Sequence, residues 1–120
     1  MREIKFRVWC VGKKEWEKDE WAICSSGCLV ELKTRTHHFL NNQFHIVSQY
    51  TGLKDKNGKE IFEGDIVKQN NRNKEVKYKD GYFYVDWADV YDAVLGKFKN
   101  NQYGRVEVIG NIYENPELLK

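Results

Sequence analysis

The chain has 120 residues, of which 41% are hydrophobic and 32% charged, so it has the composition of a folded globular protein rather than a disordered one. Its length suits one domain or two small subdomains that share a core. The formal net charge of +2 does not demand a nucleic-acid partner, no run reaches the roughly 18 apolar residues of a membrane span, and the first residues are unlike a signal peptide. We therefore expect a cytoplasmic protein.

The amino-terminal part shows short segments in which apolar and polar residues alternate. This period of two predicts a strand over residues 4–9 and another over residues 28–33. Residues 15–21 fit neither the strand nor the helix period, so a second strand and a short helix both remain open. The polar residues 35–43 predict a loop, and residues 44–50 predict a further strand.

The Asn57-Gly58 pair is the strongest local signal in the chain. Both residues tolerate positive φ, which makes this pair typical of the turn in a β-hairpin. The apolar residues that follow predict a strand over 61–68, in which Gly64 marks a bulge. Residues 70–73 then predict a polar loop.

Asp80-Gly81 predicts a second hairpin turn, between strands at residues 75–79 and 82–87. Residues 105–113 predict another strand. Asn115 and Pro116 predict the start of a short helical turn, because Asn is a good N-cap and Pro fits the first helical position. Short strands joined by glycine-containing turns predict a small barrel or sandwich from residue 61 onward.

Three segments carry a family resemblance: residues 2–9 (REIKFRVW), residues 49–67 (QYTGLKDKNGKEIFEGDIV) and residues 108–119 (VIGNIYENPELL). They resemble the YopX-like proteins of phages and prophages, and the resemblance implies that the expected cytoplasm is that of a bacterial host cell. The resemblance implies a mainly β protein, α+β overall, with an amino-terminal α+β portion over residues 1–60 and a small SH3-like β-barrel over residues 61–120. We expect these two parts to form one compact unit. The resemblance assigns no activity and no catalytic or binding residues.

The cysteines and histidines are candidates for metal ligands and for a nucleophile pair. An odd number of cysteines in a short chain favours reduced thiols over a disulfide framework. A zinc site would need Cys24 and Cys28 with His37 or His38 and His45, but the seven residues between His37 and His45 exceed the usual spacing. A reactive thiol needs an adjacent base, which the sequence does not reveal. We therefore predict reduced cysteines, no metal and no other cofactor.

No catalytic signature is present. The sequence has no glycine-rich phosphate loop, no G-x-S-x-G and no H-E-x-x-H. Asp86, Asp89 and Asp92 would share a face only on a helix, whereas the preceding residues favour a strand, so a solvated acidic loop is the better interpretation. We predict that the protein is not an enzyme.

A basic stretch over residues 68–79 is the one candidate binding site. Its cations and nearby aromatic rings are suited to phosphates and stacked bases, or to a protein partner: Lys68, Arg72, Lys74, Lys77, Lys79, Tyr82, Tyr84 and Trp87. A solvated hairpin edge explains the same lysines. The leading hypothesis is a phage accessory protein that acts as a non-catalytic protein-interaction module, with self-association as one form of that interaction. The alternative is weak, non-specific binding of nucleic acid.

Overall fold

The computed structural model describes residues 4–18, 20–40, 42–69, 71–79, 82–85, 93–94 and 106–120. Their regular structure is twelve strands, numbered here in chain order, and one 3-10 helix, Pro116–Leu119. The strands are β1 Phe6–Cys10, β2 Glu15–Trp16, β3 Trp21–Ile23, β4 Cys28–Glu31, β5 Thr36–Phe39, β6 His45–Lys54, β7 Glu60–Phe62, β8 Asp65–Gln69, β9 Arg72–Lys79, β10 Tyr82–Val85, β11 Ala93–Val94 and β12 Glu107–Asn111.

The amino-terminal portion is built from β-strands, so the α+β portion that the resemblance implied is wrong for the described residues. Of the two alternatives for residues 15–21, the structure shows strand, since β2 and β3 occupy the two ends of that segment. The loop predicted over residues 35–43 is also wrong in part. Residues Thr36–Phe39 form β5, because they pair along their whole length with β4, and this pairing outweighs their polar composition.

The chain divides into two compact units, residues 6–48 and residues 1–5 with 49–120. The first unit contains β1 to β5 and the start of β6, and the rest of β6 belongs to the second unit. The predicted division between residues 60 and 61 therefore falls inside the second unit. None of the helical residues in the described part of the chain forms a segment long and apolar enough to cross a membrane.

In the first unit, β3, β4 and β5 form an antiparallel sheet with β4 in the centre. Strand β1 pairs with β2 so that Trp9 lies opposite Trp16, and the two indole rings pack edge to face with their centroids 5.0 Å apart. The guanidinium of Arg7 lies 4.0 Å from the ring centroid of Trp16. Trp9 and Leu29 are among the buried residues of this unit, so its core combines aromatic and aliphatic packing.

In the second unit, five antiparallel strands lie in the order β11-β10-β9-β8-β12 and form a curled half-barrel sheet. The prediction of a mainly β protein is confirmed for the described residues, and the closed SH3-like barrel stays a prediction. The curled sheet encloses a cluster of buried aliphatic side chains: Ile61, Val67, Val76, Val85, Val106 and Val108, with Leu53 packed against them. Alternation along each strand places these side chains on one face, which is why the second unit has an aliphatic core.

The hairpin at Asn57-Gly58 is present and joins β6 to β7, as predicted. Of the two residues, Gly58 has a positive φ, of 82°, and Asn57 does not. The N–H of Gly58 donates to the Asp55 carbonyl at 3.0 Å, and the N–H of Asp55 donates to the Lys59 carbonyl at 2.8 Å. This is a three-residue hairpin loop, which needs a left-handed residue at its last position alone.

The single strand predicted over residues 61–68 is two strands, β7 and β8, separated by a turn at Glu63 and Gly64. The carboxylate of Asp65 accepts a hydrogen bond from the N–H of Phe62 at 2.7 Å and closes this turn, and Gly64 has a φ of 86°. The loop predicted over residues 70–73 is shorter than expected, because Gln69 already pairs with Arg72 at the start of β9.

The strand and the helical turn predicted near the carboxyl end fall on described residues, whereas two other predictions do not. Strand β12 and the 3-10 helix after Asn115 are present, with Pro116 in the first helical turn. Asn115 does not cap the helix through its side chain, whose Oδ1 accepts instead from the N–H of Asn111 at 3.3 Å. The turn predicted at Asp80-Gly81 and the acidic residues of 86–92 lie outside the described residues. Lys79 and Tyr82, which are described, pair with each other.

Candidate functional site

The first unit exposes two phenylalanine rings beside a cavity of about 540 Å³. Phe39, at the end of β5, is 86% exposed, and Phe44, just before β6, is 57% exposed. The cavity between them is also lined by Cys28, His37, His38, Asn42 and Gln43. We call Phe39, Phe44 and this cavity the aromatic surface.

Asn42 fixes the chain between these two rings. Its Nδ2 donates to the carbonyl of Phe39 at 2.8 Å. Its Oδ1 accepts from the N–H of Phe44 at 2.7 Å and from the N–H of His45 at 2.9 Å. One side chain thus ties the end of β5 to the start of β6 and holds the backbone at both rings.

Cys24 and Cys28 form a disulfide at the turn between β3 and β4, so the prediction of three reduced thiols is wrong for this pair. Their Cα atoms lie 5.4 Å apart because the loop between them, Ser25 to Gly27, brings the two residues opposite each other. An odd total of cysteines does not exclude one local pair, and Cys10 is the free and buried one.

The zinc set considered from the sequence is divided in the structure. Nδ1 of His37 lies 3.4 Å from Sγ of Cys28, beside the disulfide. His45 lies elsewhere in the same unit, where its ring centroid is 4.9 Å from that of His38 and 5.0 Å from that of Trp21. His37 and His45 therefore belong to different sites.

A second cluster consists of Cys10, Glu17 and His45, whose ligand atoms all lie within 4.8 Å of one another. Cys10 is buried and the other two are largely buried. Burial lowers the pKa of His45, the charge of His38 lowers it further, and Glu17 and Glu31 oppose this shift only in part. Sequence reasoning missed Cys10 and Glu17, because the three residues are far apart in the chain and match no ligand spacing.

The basic stretch of the sequence is divided between the two faces of the second unit's sheet. Residues directly opposite in an antiparallel pair share a face, and side chains alternate along each strand. The register therefore places three lysines on the face away from the aliphatic core, and we call them the basic face: Lys68, Lys77 and Lys79. Tyr84 is opposite Lys77 on that face. Arg72 and Lys74 lie on the other face, with Val76.

The remaining predicted site residues can be placed only in part. The backbone of Tyr82 pairs with Lys79, and Trp87 lies outside the described residues. Acidic groups accompany the basic face, because Glu63 and Glu75 line a cavity of about 270 Å³ together with Lys77, Lys79 and Tyr84. Burial raises the pKa of Glu63, a hydrogen bond from the Gln49 backbone lowers it in part, and the charge of Glu75 raises it further.

Residues 5–120 match the family model described as "YopX protein". The chain belongs to this family, a class of small phage and prophage proteins, as the resemblance of its three segments predicted.

One curated relative is the SPbeta prophage-derived uncharacterized protein YopX of Bacillus subtilis strain 168, which is 39% identical over 72 residues. The alignment covers 52% of this chain, and the chain spans about half the length of that relative. Two solved structures are similar over 100% of both chains at 30% identity: protein EF1440 from Enterococcus faecalis, with a TM-score of 0.67, and protein yopX from Bacillus subtilis, with a TM-score of 0.64.

Proposed function

We propose that the protein is a non-catalytic accessory protein of a phage or prophage that binds a protein partner through the aromatic surface. The observation that carries this proposal is the exposure of Phe39 and Phe44 beside one cavity. Burying a phenylalanine side chain is worth about 1.5–3 kcal/mol, so the two exposed rings forgo a large stabilisation of the folded chain. That stabilisation becomes available when a partner covers them.

The partner that fits this surface is a protein with an apolar side chain for the cavity. Leu40, between the two rings in sequence, is also exposed and extends the apolar area. The polar groups of Asn42 and Gln43 line the same cavity and suit the rim of such an interface. We place this function in the cytoplasm of the bacterial host. The curled sheet of the second unit is, in this proposal, an SH3-like barrel.

The test compares three forms of the tagged full chain during prophage induction. The wild type should capture a phage or host protein. The Phe39→Ser/Phe44→Ser variant should not, and Leu119→Ser, which changes an exposed apolar residue of the second unit, should behave as the wild type. The captured protein is then purified, and its affinity for the double variant should fall at least about tenfold. Equal affinity for wild type and double variant would rule out the aromatic surface.

Binding of nucleic acid is the second candidate, and the placement of three lysines on the basic face supports it. Three phosphate contacts would give only weak and non-specific binding. Glu63 and Glu75 beside Lys77 and Lys79 oppose a phosphate backbone there, which is why the protein partner is preferred. A gel shift with single- and double-stranded nucleic acid at low and high salt separates the two candidates.

A further inference from the structure

We propose that Cys10, Glu17 and His45 form a zinc-binding site. Each of the three offers a different ligand that Zn²⁺ accepts, namely a thiolate sulfur, a carboxylate oxygen and an imidazole nitrogen. The three ligand atoms lie within 4.8 Å of one another. This inference is independent of the proposed function, because it concerns buried residues of the first unit and not the aromatic surface.

The distances suit an ion better than a direct contact between the side chains. Nε2 of His45 is 3.8 Å from Oε1 of Glu17, which is too long for a hydrogen bond. The same separation allows both atoms to lie about 2.0–2.2 Å from one ion between them, as zinc ligands do. Nδ1 of His45 is buried and has no hydrogen-bond partner among the described residues. Ring contacts with His38 and Trp21 position this imidazole, and its Nε2 lies on the side of Glu17.

The charges also fit a divalent cation. A carboxylate that is 12% exposed is costly to bury unless its charge is compensated. One thiolate and one carboxylate together balance the two positive charges of Zn²⁺, and the neutral imidazole completes three protein ligands. This ligand set leaves the fourth position for a water molecule.

The backbone holds the three ligands in place. The carbonyl of Cys10 accepts from the N–H of Lys14 at 2.9 Å, and the N–H of Glu17 donates to the carbonyl of Val8 at 2.8 Å. The N–H of His45 donates to Oδ1 of Asn42 at 2.9 Å. The site thus joins the end of β1, the residue after β2 and the start of β6, and hydrogen bonds hold the backbone at each of the three positions.

Co²⁺ and Zn²⁺ are the probes, added to the purified full chain without reductant so that Cys24 and Cys28 stay paired. We expect one Co²⁺ per chain, a thiolate-to-cobalt charge-transfer absorption band, and displacement of Co²⁺ by Zn²⁺. Saturating Zn²⁺ should raise Tm by roughly 5 °C or more, because it binds the folded state preferentially. Absence of stoichiometric binding would overturn the proposal.

Variants locate the ion. Cys10→Ser should remove the charge-transfer band, and Glu17→Gln should weaken binding at least about tenfold while it keeps the size of the side chain. A Cys24→Ser/Cys28→Ser variant and a His37→Gln variant should bind as the wild type does. If Cys10→Ser does not fold, Glu17→Gln decides the matter. Unchanged affinity in Glu17→Gln, or loss of binding in the Cys24/Cys28 variant, would place the ion elsewhere and refute this site.

Discussion

Asp55 offers the sharpest test of how the second unit is held together, because its buried carboxylate serves two elements at once. Oδ1 accepts from the N–H groups of Asn57 and Lys59, both at 2.8 Å, and so closes the hairpin loop. Oδ2 accepts from the N–H of Val108 in β12 at 2.9 Å. Asp55 therefore fastens the hairpin between β6 and β7 to the last strand of the curled sheet.

Replacing Asp55 with Asn should lower the free energy of unfolding by about 2–3 kcal/mol. The amide keeps one oxygen for the loop, but its NH₂ group would face the N–H of Val108 and leave that buried donor without an acceptor. A hydrogen bond to a charged group contributes about 1.5–3 kcal/mol, and an unsatisfied buried donor costs about 1–3 kcal/mol. Glu20→Gln is the matched control, because Glu20 is exposed and should change stability by less than about 0.5 kcal/mol.

The pH dependence gives a second readout of the same carboxylate. Burial raises the pKa of Asp55, but hydrogen bonds from Val108, Lys59 and Asn57 outweigh burial, and the net pKa lies below the ordinary value of 3.8. A group whose pKa is lower in the folded state stabilises the fold above its unfolded pKa. That stabilisation is lost as the pH falls below about 4 and through the folded pKa, and Asp55→Asn should lack this component of acid destabilisation.

The assay must report on the second unit. Trp9, Trp16 and Trp21 belong to the first unit and Trp87 to the second, so tryptophan fluorescence mixes signals from both units and is a poor probe of Asp55. Urea unfolding followed by far-ultraviolet circular dichroism, together with amide exchange at Val108, is suited to this question. A loss below about 1 kcal/mol in Asp55→Asn, with unchanged exchange at Val108, would refute the role given to this carboxylate.

Three further predictions concern the turns, the disulfide and the basic face. Gly58→Val should lower the free energy of unfolding by about 1 kcal/mol or more in urea, and Gly58→Asn by less, because Gly58 has positive φ and no atom near its Cβ direction. Alkylation under denaturing conditions should modify Cys24 and Cys28 only after reduction, and modification without reductant would show free thiols. If nucleic acid binds the basic face, three phosphate contacts give a slope of about −2 to −3 for log affinity against log salt concentration. The Lys77→Glu/Lys79→Glu variant should then give no gel shift. Absence of a gel shift of the wild type at low salt excludes this site.

Local turn chemistry was the most predictable part of the fold. The Asn57-Gly58 hairpin and the strand near the carboxyl end follow from residues that are close in sequence. Strand β5 was missed because Thr36–Phe39 has little apolar alternation, and its pairing with β4 decides its conformation. The single strand predicted over 61–68 was wrong because the hydrogen bond from Phe62 to Asp65 makes a turn that apolar patterning does not reveal.

The candidate sites were less predictable, because each depends on which strands meet. Nothing in the spacing of Cys10, Glu17 and His45 indicates that their side chains converge. The exposure of Phe39 and Phe44 could not be predicted from the sequence either, since phenylalanine is more often buried than exposed. The basic stretch was visible as composition, but strand alternation divides its five cations between two faces.

Two loops of the chain have the same backbone geometry but different roles, and only the geometry follows from local sequence. Residues 24–28 and residues 55–59 form the same three-residue loop, and in each the first residue donates its N–H to the carbonyl of the last, at 2.9 and 2.8 Å. In each loop the side chain of the first residue also accepts from the N–H of the last, through Sγ of Cys24 at 3.2 Å and Oδ1 of Asp55 at 2.8 Å.

Glycine supplies the positive φ in both loops, 88° at Gly27 and 82° at Gly58, so the backbone geometry follows from the same rule. The function of each loop depends on its outer residues. Cys28 opposite Cys24 turns one loop into a covalent link, whereas Asp55 uses its second oxygen to hold β12. The cysteine pairing was therefore readable from the loop and was missed because the cysteines were judged by their number in the chain and not by the turn that separates them.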